Sequence, residues 1–127
     1  RSTRLARGGE LGLESVEESH ARRIRGDPHP YDRPVEIDEF QAVIAQTYGE
    51  RDRARGTAAT VAWLCEELGE LAQAVRKGTV DQQRHELSDV LAWLASLAHQ
   101  MDLSLDDAAQ RYADGCPRCG TVPCSCP

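Results

Sequence analysis

The chain has 127 residues, 40% of them hydrophobic, and a net charge of −6. That length supports one domain around one modest core, and the acidic balance argues against nonspecific nucleic-acid binding, which needs a basic surface. No apolar run reaches the ~18 residues that a membrane-spanning helix requires, so none is expected.

Residues 1–35 are polar, charged and proline-containing, with Asp27-Pro28-His29-Pro30 and Arg33-Pro34 near their end. The opening RSTRLARGGE has arginines but no apolar core segment, so a secretory signal is not expected and a cytoplasmic location is. The first residue is Arg1 rather than Met, which fits a fragment or a processed chain. A short amphipathic helix over Glu10–Arg25 would rest only on Leu13, Val16 and Ile24. That is too little apolar surface, and the segment reads as largely flexible. His20 and His29 have no evident partners there.

Residues 36–114 read as an all-α domain. Phe40, Val43, Ile44 and Tyr48 recur at helical spacing and predict a first helix over about Ile37–Tyr48. A second helix is expected over Ala58–Arg76, with Val61, Leu64, Leu68, Leu71 and Val75 as its apolar stripe. Gly78 suits a C′ position with positive φ, and Thr79 with Gln82 forms a capping box. A third helix then runs over Val80–Met101, with Leu87, Val90, Leu91, Leu94, Leu97 and Met101 as its stripe. Ser104 caps a fourth helix that carries Leu105, Ala108, Ala109 and Tyr112 toward Gly115.

Two acidic clusters mirror each other about the turn at Gly78. The first is Glu66-Glu67-Leu68-Gly69-Glu70 and the second Glu86-Leu87-Ser88-Asp89. Folding the chain back there sets Glu70 opposite Glu86, Glu67 opposite Asp89 and Trp63 opposite Trp93. Carboxylates three residues apart share a helix face, so Glu67, Glu70, Glu86 and Asp89 can converge between antiparallel helices. Unpaired, they would repel and raise one another's pKa values. A hard divalent cation removes that penalty, and an all-oxygen site suits Mg²⁺ or Mn²⁺. Most helical glutamates are simply solvated surface charges. That plain reading fits Glu66, beside Gln73 and Lys77, as well as a functional one, whereas the mirrored spacing weighs against it for the other four.

The pattern EExxE, a gap, then ExxD resembles the MazG-like nucleotide pyrophosphohydrolases. WLCEELGELAQAVRKG, ELSDVLAWLASLA and the segment Gly49–Gly56 are similar to family sequences, over about residues 36–114. The resemblance implies an all-α fold assembled as a homodimer or dimer of dimers. It also implies Mg²⁺-dependent cleavage of a nucleoside triphosphate to monophosphate and pyrophosphate. By position, Glu67, Glu70, Glu86 and Asp89 match the metal ligands, and Glu66 matches a motif acid of less uniform role. Glu66 or Glu67 is then the candidate to take a proton from the attacking water. Lys77, the only lysine, with Arg53, Arg55 and Arg111, could neutralise phosphate, though each could equally serve solubility. Trp63 and Trp93 could stack on a base or form core aromatics at a subunit interface. Stripe and acidic flank together expose too much apolar surface for a monomer, so dimerisation into a helical bundle is expected.

Residues 115–127 form a separate, cysteine-rich tail. Cys116-Pro117-Arg118-Cys119-Gly120 is a good zinc half-site, while Cys124-Ser125-Cys126 follows more closely than zinc pairs usually do. Three readings stay open: structural Zn²⁺, with sharing across an interface an option; redox-active or disulfide-linked thiols; and an unstructured tail. Cys65 reads as a core thiol.

Two rival functions remain. One is a phosphoribosyl-ATP pyrophosphohydrolase-like enzyme, a related all-α family with similar acidic motifs. The other is a non-enzymatic, zinc-dependent helical interaction module. Duplex DNA binding is a poor third, because no helix has a basic face.

Overall fold

In a computed structural model of the chain, the described residues are 33–127. They fold into four helices: α1 (Ile37–Arg55), α2 (Thr57–Lys77), α3 (Val80–Gln100) and a short α4 (Leu105–Gln110). No described residue is in a strand, and no described helix is long and apolar enough to cross a membrane. The expected helix over residues 10–25, His20 and His29 lie outside the described residues.

No proline falls between Pro34 and Pro117, so no interior position lacks its N–H and the helices run unbroken between their caps. The first helix is two turns longer than its apolar spacing predicted. It continues past Tyr48 to Arg55, where Gly56 at φ 84° breaks the helical path and opens α2. Gly56 suits that corner because a side chain would disfavour this φ. Its N–H donates to the Asp52 carbonyl at 2.9 Å, and its carbonyl accepts from the Thr60 hydroxyl at 3.1 Å.

The turn between α2 and α3 corrects one expectation. Gly78 has φ −92° and ψ 169°, so a left-handed backbone is not what calls for glycine there. The reason is space: a Cβ would lie 2.7 Å from the Ala74 carbonyl oxygen and 2.8 Å from its Cα. The capping box is present. Gln82 N–H donates to Thr79 Oγ1 at 3.2 Å, and Thr79 N–H donates to Gln82 Oε1 at 2.8 Å. This reciprocal pair satisfies two of the N–H groups that a helix start leaves open. Gln83 then reaches back across the turn to the Ala74 carbonyl at 3.3 Å.

α2 and α3 pack as an antiparallel pair, and α1 lies mainly against α3. Apart from Ile44, the buried side chains are small or polar: Ala74, Ala95 and Ala98, with Asp52, Thr60 and Ser96. Small residues on α3 allow close helix approach. Gln100 of α3 donates to Thr60 of α2 at 2.8 Å. Gln41 of α1 holds the α3–α4 link with both ends of its amide, donating to the Leu103 carbonyl at 2.7 Å and accepting from Leu105 N–H at 2.8 Å. Ser104 caps α4 by accepting from Asp107 N–H at 3.1 Å. That helix is shorter than predicted, since the chain passes into turns after Gln110.

Only part of each apolar stripe is covered within one chain. Leu64 and Leu71 are half-buried, whereas Val61, Leu68 and Val75 are exposed, Val75 at 63%. On α3, Leu87, Leu91, Leu94 and Met101 are exposed too. Cys65 is exposed rather than in the core, because its helix face turns away from both α1 and α3.

Candidate functional site

The two-residue link places residues equidistant from the turn side by side on α2 and α3. Carboxylate oxygens of Glu67, Glu70 and Glu86 come within 4.8 Å of one another, a spacing that could hold a metal ion. Glu67 and Glu86 are half-buried and Glu70 is exposed. No ion pair to Lys or Arg neutralises these three among the described residues. Burial pushes the Glu67 carboxyl above its ordinary value, and the charges of Asp89, Glu70 and Glu86 push the same way. The Trp93 indole opposes them by donating from Nε1 to Glu67 Oε1 at 3.1 Å.

Asp89 lies beside this trio, close enough for its charge to act on Glu67, but outside the convergent group. Its Oδ2 is 3.5 Å from His85 Nε2, one turn earlier on α3. Glu66 is exposed and outside the cluster as well. Its neighbour Glu67 takes the inner position because α2 turns by ~100° per residue.

Trp63 and Trp93 meet as the mirrored spacing suggested. Their rings stack with centroids 5.8 Å apart and planes within 7°. Trp63 keeps 45% of its surface exposed. Arg55 caps the same group from the α1–α2 corner, with its guanidinium 4.7 Å from the Trp93 ring centroid. Its Nη1 also pairs with Asp52 Oδ1 at 2.7 Å. Arg55 thus contacts both Asp52 and Trp93.

The other cations are spread out. Arg53 approaches His99 Nε2 at 3.1 Å, and Arg111 lies over Tyr112 at 6.0 Å. Lys77 lines a groove of about 540 Å³ together with Glu70, Gln73, Ala74, Gly78, Gln82 and Glu86. A second concavity of about 280 Å³ is lined by Trp93 with Tyr48, Arg51, Asp52, Arg55 and Asp89 among others. Glu70 and Glu86 of the trio thus border a groove with one cation, and Trp93 borders a more aromatic one.

Sequence reasoning missed Asp52. It is only 2% exposed, and its Oδ2 has no hydrogen-bond partner. The Arg55 three residues later was the available signal, since i,i+3 places both on one face, but the depth of that face depends on how α1 packs against α3. His85 was missed as well, although its i,i+4 relation to Asp89 was legible.

In the tail, the sulfurs of Cys116, Cys119, Cys124 and Cys126 also gather within 4.8 Å of one another. All five cysteines are free thiols.

The sequence model of the MazG nucleotide pyrophosphohydrolase domain matches residues 55–118. The match takes in Arg55, both tryptophans, both acidic motifs and α4, and it stops before Cys119. No curated protein matches the chain. A match over half the chain, on the helices that carry the convergent carboxylates, leads to one conclusion: the chain belongs to the MazG nucleotide pyrophosphohydrolase family.

Proposed function

We propose that this protein hydrolyses nucleoside triphosphates to monophosphates and pyrophosphate, with Mg²⁺ held by Glu67, Glu70 and Glu86 and completed by Asp89. The observation that carries this reading is the convergence of three carboxylates that no Lys or Arg neutralises among the described residues. The donor set is all oxygen and fits a hard divalent ion, with Mn²⁺ able to substitute. When bound, that ion supplies positive charge against the phosphate oxygens.

The chain's own residues account for the rest. Trp93 donates to one oxygen of Glu67, and Glu67, where it is not fully committed to the metal, accepts a proton from the attacking water. Glu67 belongs to the convergent group and Glu66 lies outside it, which makes Glu67 the better candidate for this role. Water attacks phosphorus, the bond to the pyrophosphate oxygen breaks, and Lys77 at the groove edge offsets charge on the departing group. The exposed face of Trp63 offers a stacking surface for the base. Because Arg53 and Arg55 are engaged elsewhere, Lys77 is the better phosphate partner.

The exposed Val61, Leu68 and Val75 on α2, with Leu87, Leu91 and Leu94 on α3, favour a homodimer that buries them and walls the groove. A monomer by light scattering at micromolar concentration would overturn that assembly.

Product analysis with Mg²⁺ against a panel of ribo- and deoxyribonucleoside triphosphates tests the reaction. Monophosphate plus pyrophosphate is expected, and the rank order names the preferred base and sugar. Diphosphate plus inorganic phosphate, or no turnover by folded, metal-loaded protein, would refute it.

A further inference from the structure

The cysteine-rich tail has no part in the hydrolytic reading, yet its geometry is that of a site. Cys116 Sγ lies 3.8 Å from Cys126 Sγ, and Cys119 Sγ lies 3.8 Å from Cys124 Sγ. Disulfide sulfurs would be ~2.0 Å apart, so neither pair is bonded. A Zn–S bond of ~2.3 Å instead sets the edge of a tetrahedron at ~3.8 Å. The sulfurs of both pairs are already spaced as tetrahedral edges, and all four lie within 4.8 Å of each other.

The backbone supports this arrangement. The Thr121 hydroxyl lies 3.1 Å from the Cys119 sulfur and 3.1 Å from the Ser125 hydroxyl, tying the two halves of the tail together. Cys126 N–H lies 3.4 Å from Cys124 Sγ. Such donors stabilise thiolate rather than thiol. Gly120, at φ 69°, closes the first turn by donating to the Cys116 carbonyl at 2.7 Å. Cys116 N–H returns to the Thr121 carbonyl at 3.2 Å. The close spacing of the second pair is therefore no obstacle, because the turn carries it back over the first.

We propose that Cys116, Cys119, Cys124 and Cys126 of a single chain bind one structural Zn²⁺, clipping the segment after α4 into a closed loop. The site is separate from the acidic cluster and takes a different metal: soft thiolates select Zn²⁺, whereas carboxylates suit Mg²⁺. Having four protein ligands, it is a closed site with a structural role.

The test uses the full chain, purified under reducing conditions without chelator, with zinc measured by elemental analysis. Replacement of the metal by Co²⁺ reads the ligands, because a tetrathiolate site gives sulfur-to-cobalt charge-transfer bands and intense visible absorption. One Zn²⁺ per chain and a tetrathiolate Co²⁺ spectrum are expected. Cys119→Ser should lose both, while Cys65→Ser, outside the cluster, should keep both. Glu70→Gln should leave the Co²⁺–thiolate bands unchanged. One Zn²⁺ per two chains would overturn the single-chain site. Zinc-free protein that also gives no Co²⁺–thiolate bands would overturn metal binding altogether.

Discussion

Arg55→Met should destabilise the fold far more than Asp52→Asn, although each breaks the same ion pair. Asp52 is 2% exposed, and among the described residues Arg55 supplies its cation, at 2.7 Å. Without Arg55, a buried carboxylate whose second oxygen already lacks a partner loses its remaining compensation. Removing one member of a buried pair costs about 3–5 kcal/mol, and the lost contact with Trp93 adds about 0.5–1 kcal/mol. In the converse variant the Arg55 side chain, 23% exposed, can turn to water, and the amide that replaces the carboxylate can still accept a hydrogen bond. That change should cost about 1 kcal/mol. At roughly 4 °C or more per kcal/mol for a domain of this size, Arg55→Met should lower Tm by at least about 12 °C and Asp52→Asn by only about 4–8 °C. Thermal unfolding followed by circular dichroism measures both, and the double variant should recover much of the larger loss. Equal costs, or a larger one for Asp52→Asn, would refute the argument that the carboxylate is the buried member.

Further outcomes follow from the same contacts. Glu67 must be ionised to hold a cation, and its carboxyl is raised above 4.5 mainly by burial, so at limiting Mg²⁺ the acid limb of the pH–activity profile should lie above that of an ordinary carboxylate. Trp93→Phe removes the N–H that lowers the Glu67 pKa, so that limb should move to still higher pH. In metal-free protein the sign is opposite for stability: a carboxyl raised in the folded state binds its proton more tightly there than in the unfolded chain. Stability should therefore fall as pH rises from 4.5 through the folded value, and flatten above it. Saturating Mg²⁺ should reverse the loss, adding about 2.7 kcal/mol at 100 times its Kd, visible as a rise in Tm that EDTA abolishes. Thr79→Ala breaks the capping box that starts α3 and should cost about 1 kcal/mol in urea unfolding.

What was legible in the sequence was local. Thr79 and Gln82 carry their capping geometry in three residues of spacing, and the turn they define brings Trp63 onto Trp93 and Glu70 near Glu86. Helical period alone therefore described the α2–α3 face. The extension of α1 was not legible, because Gly49–Arg55 has no apolar spacing. Those residues stay helical because the packing of α1 against α3 buries Asp52 and Gly49, and the helix ends only at the positive φ of Gly56. Asp89 illustrates a similar limit. Its position in the ExxD motif places it on the right face, but whether it turns to Glu67 or to His85 depends on side-chain competition. Cys65 looked internal beside Leu64, and only the direction of the helix against its neighbours exposes it. In the tail, cysteine spacing could not show that Gly120 folds the second pair over the first.

The most direct test of the central claim is calorimetric titration of Mg²⁺ into wild-type protein and into Glu70→Gln, with pyrophosphate release measured on the same samples. Glu70 belongs to the convergent trio yet is exposed, so the substitution should leave helicity and assembly unchanged. It should weaken Mg²⁺ binding and turnover together, by more than the loss of about 10–100-fold typical of outer-shell changes at metal sites. A folded Glu70→Gln protein that binds Mg²⁺ and releases pyrophosphate like the wild type would contradict the account.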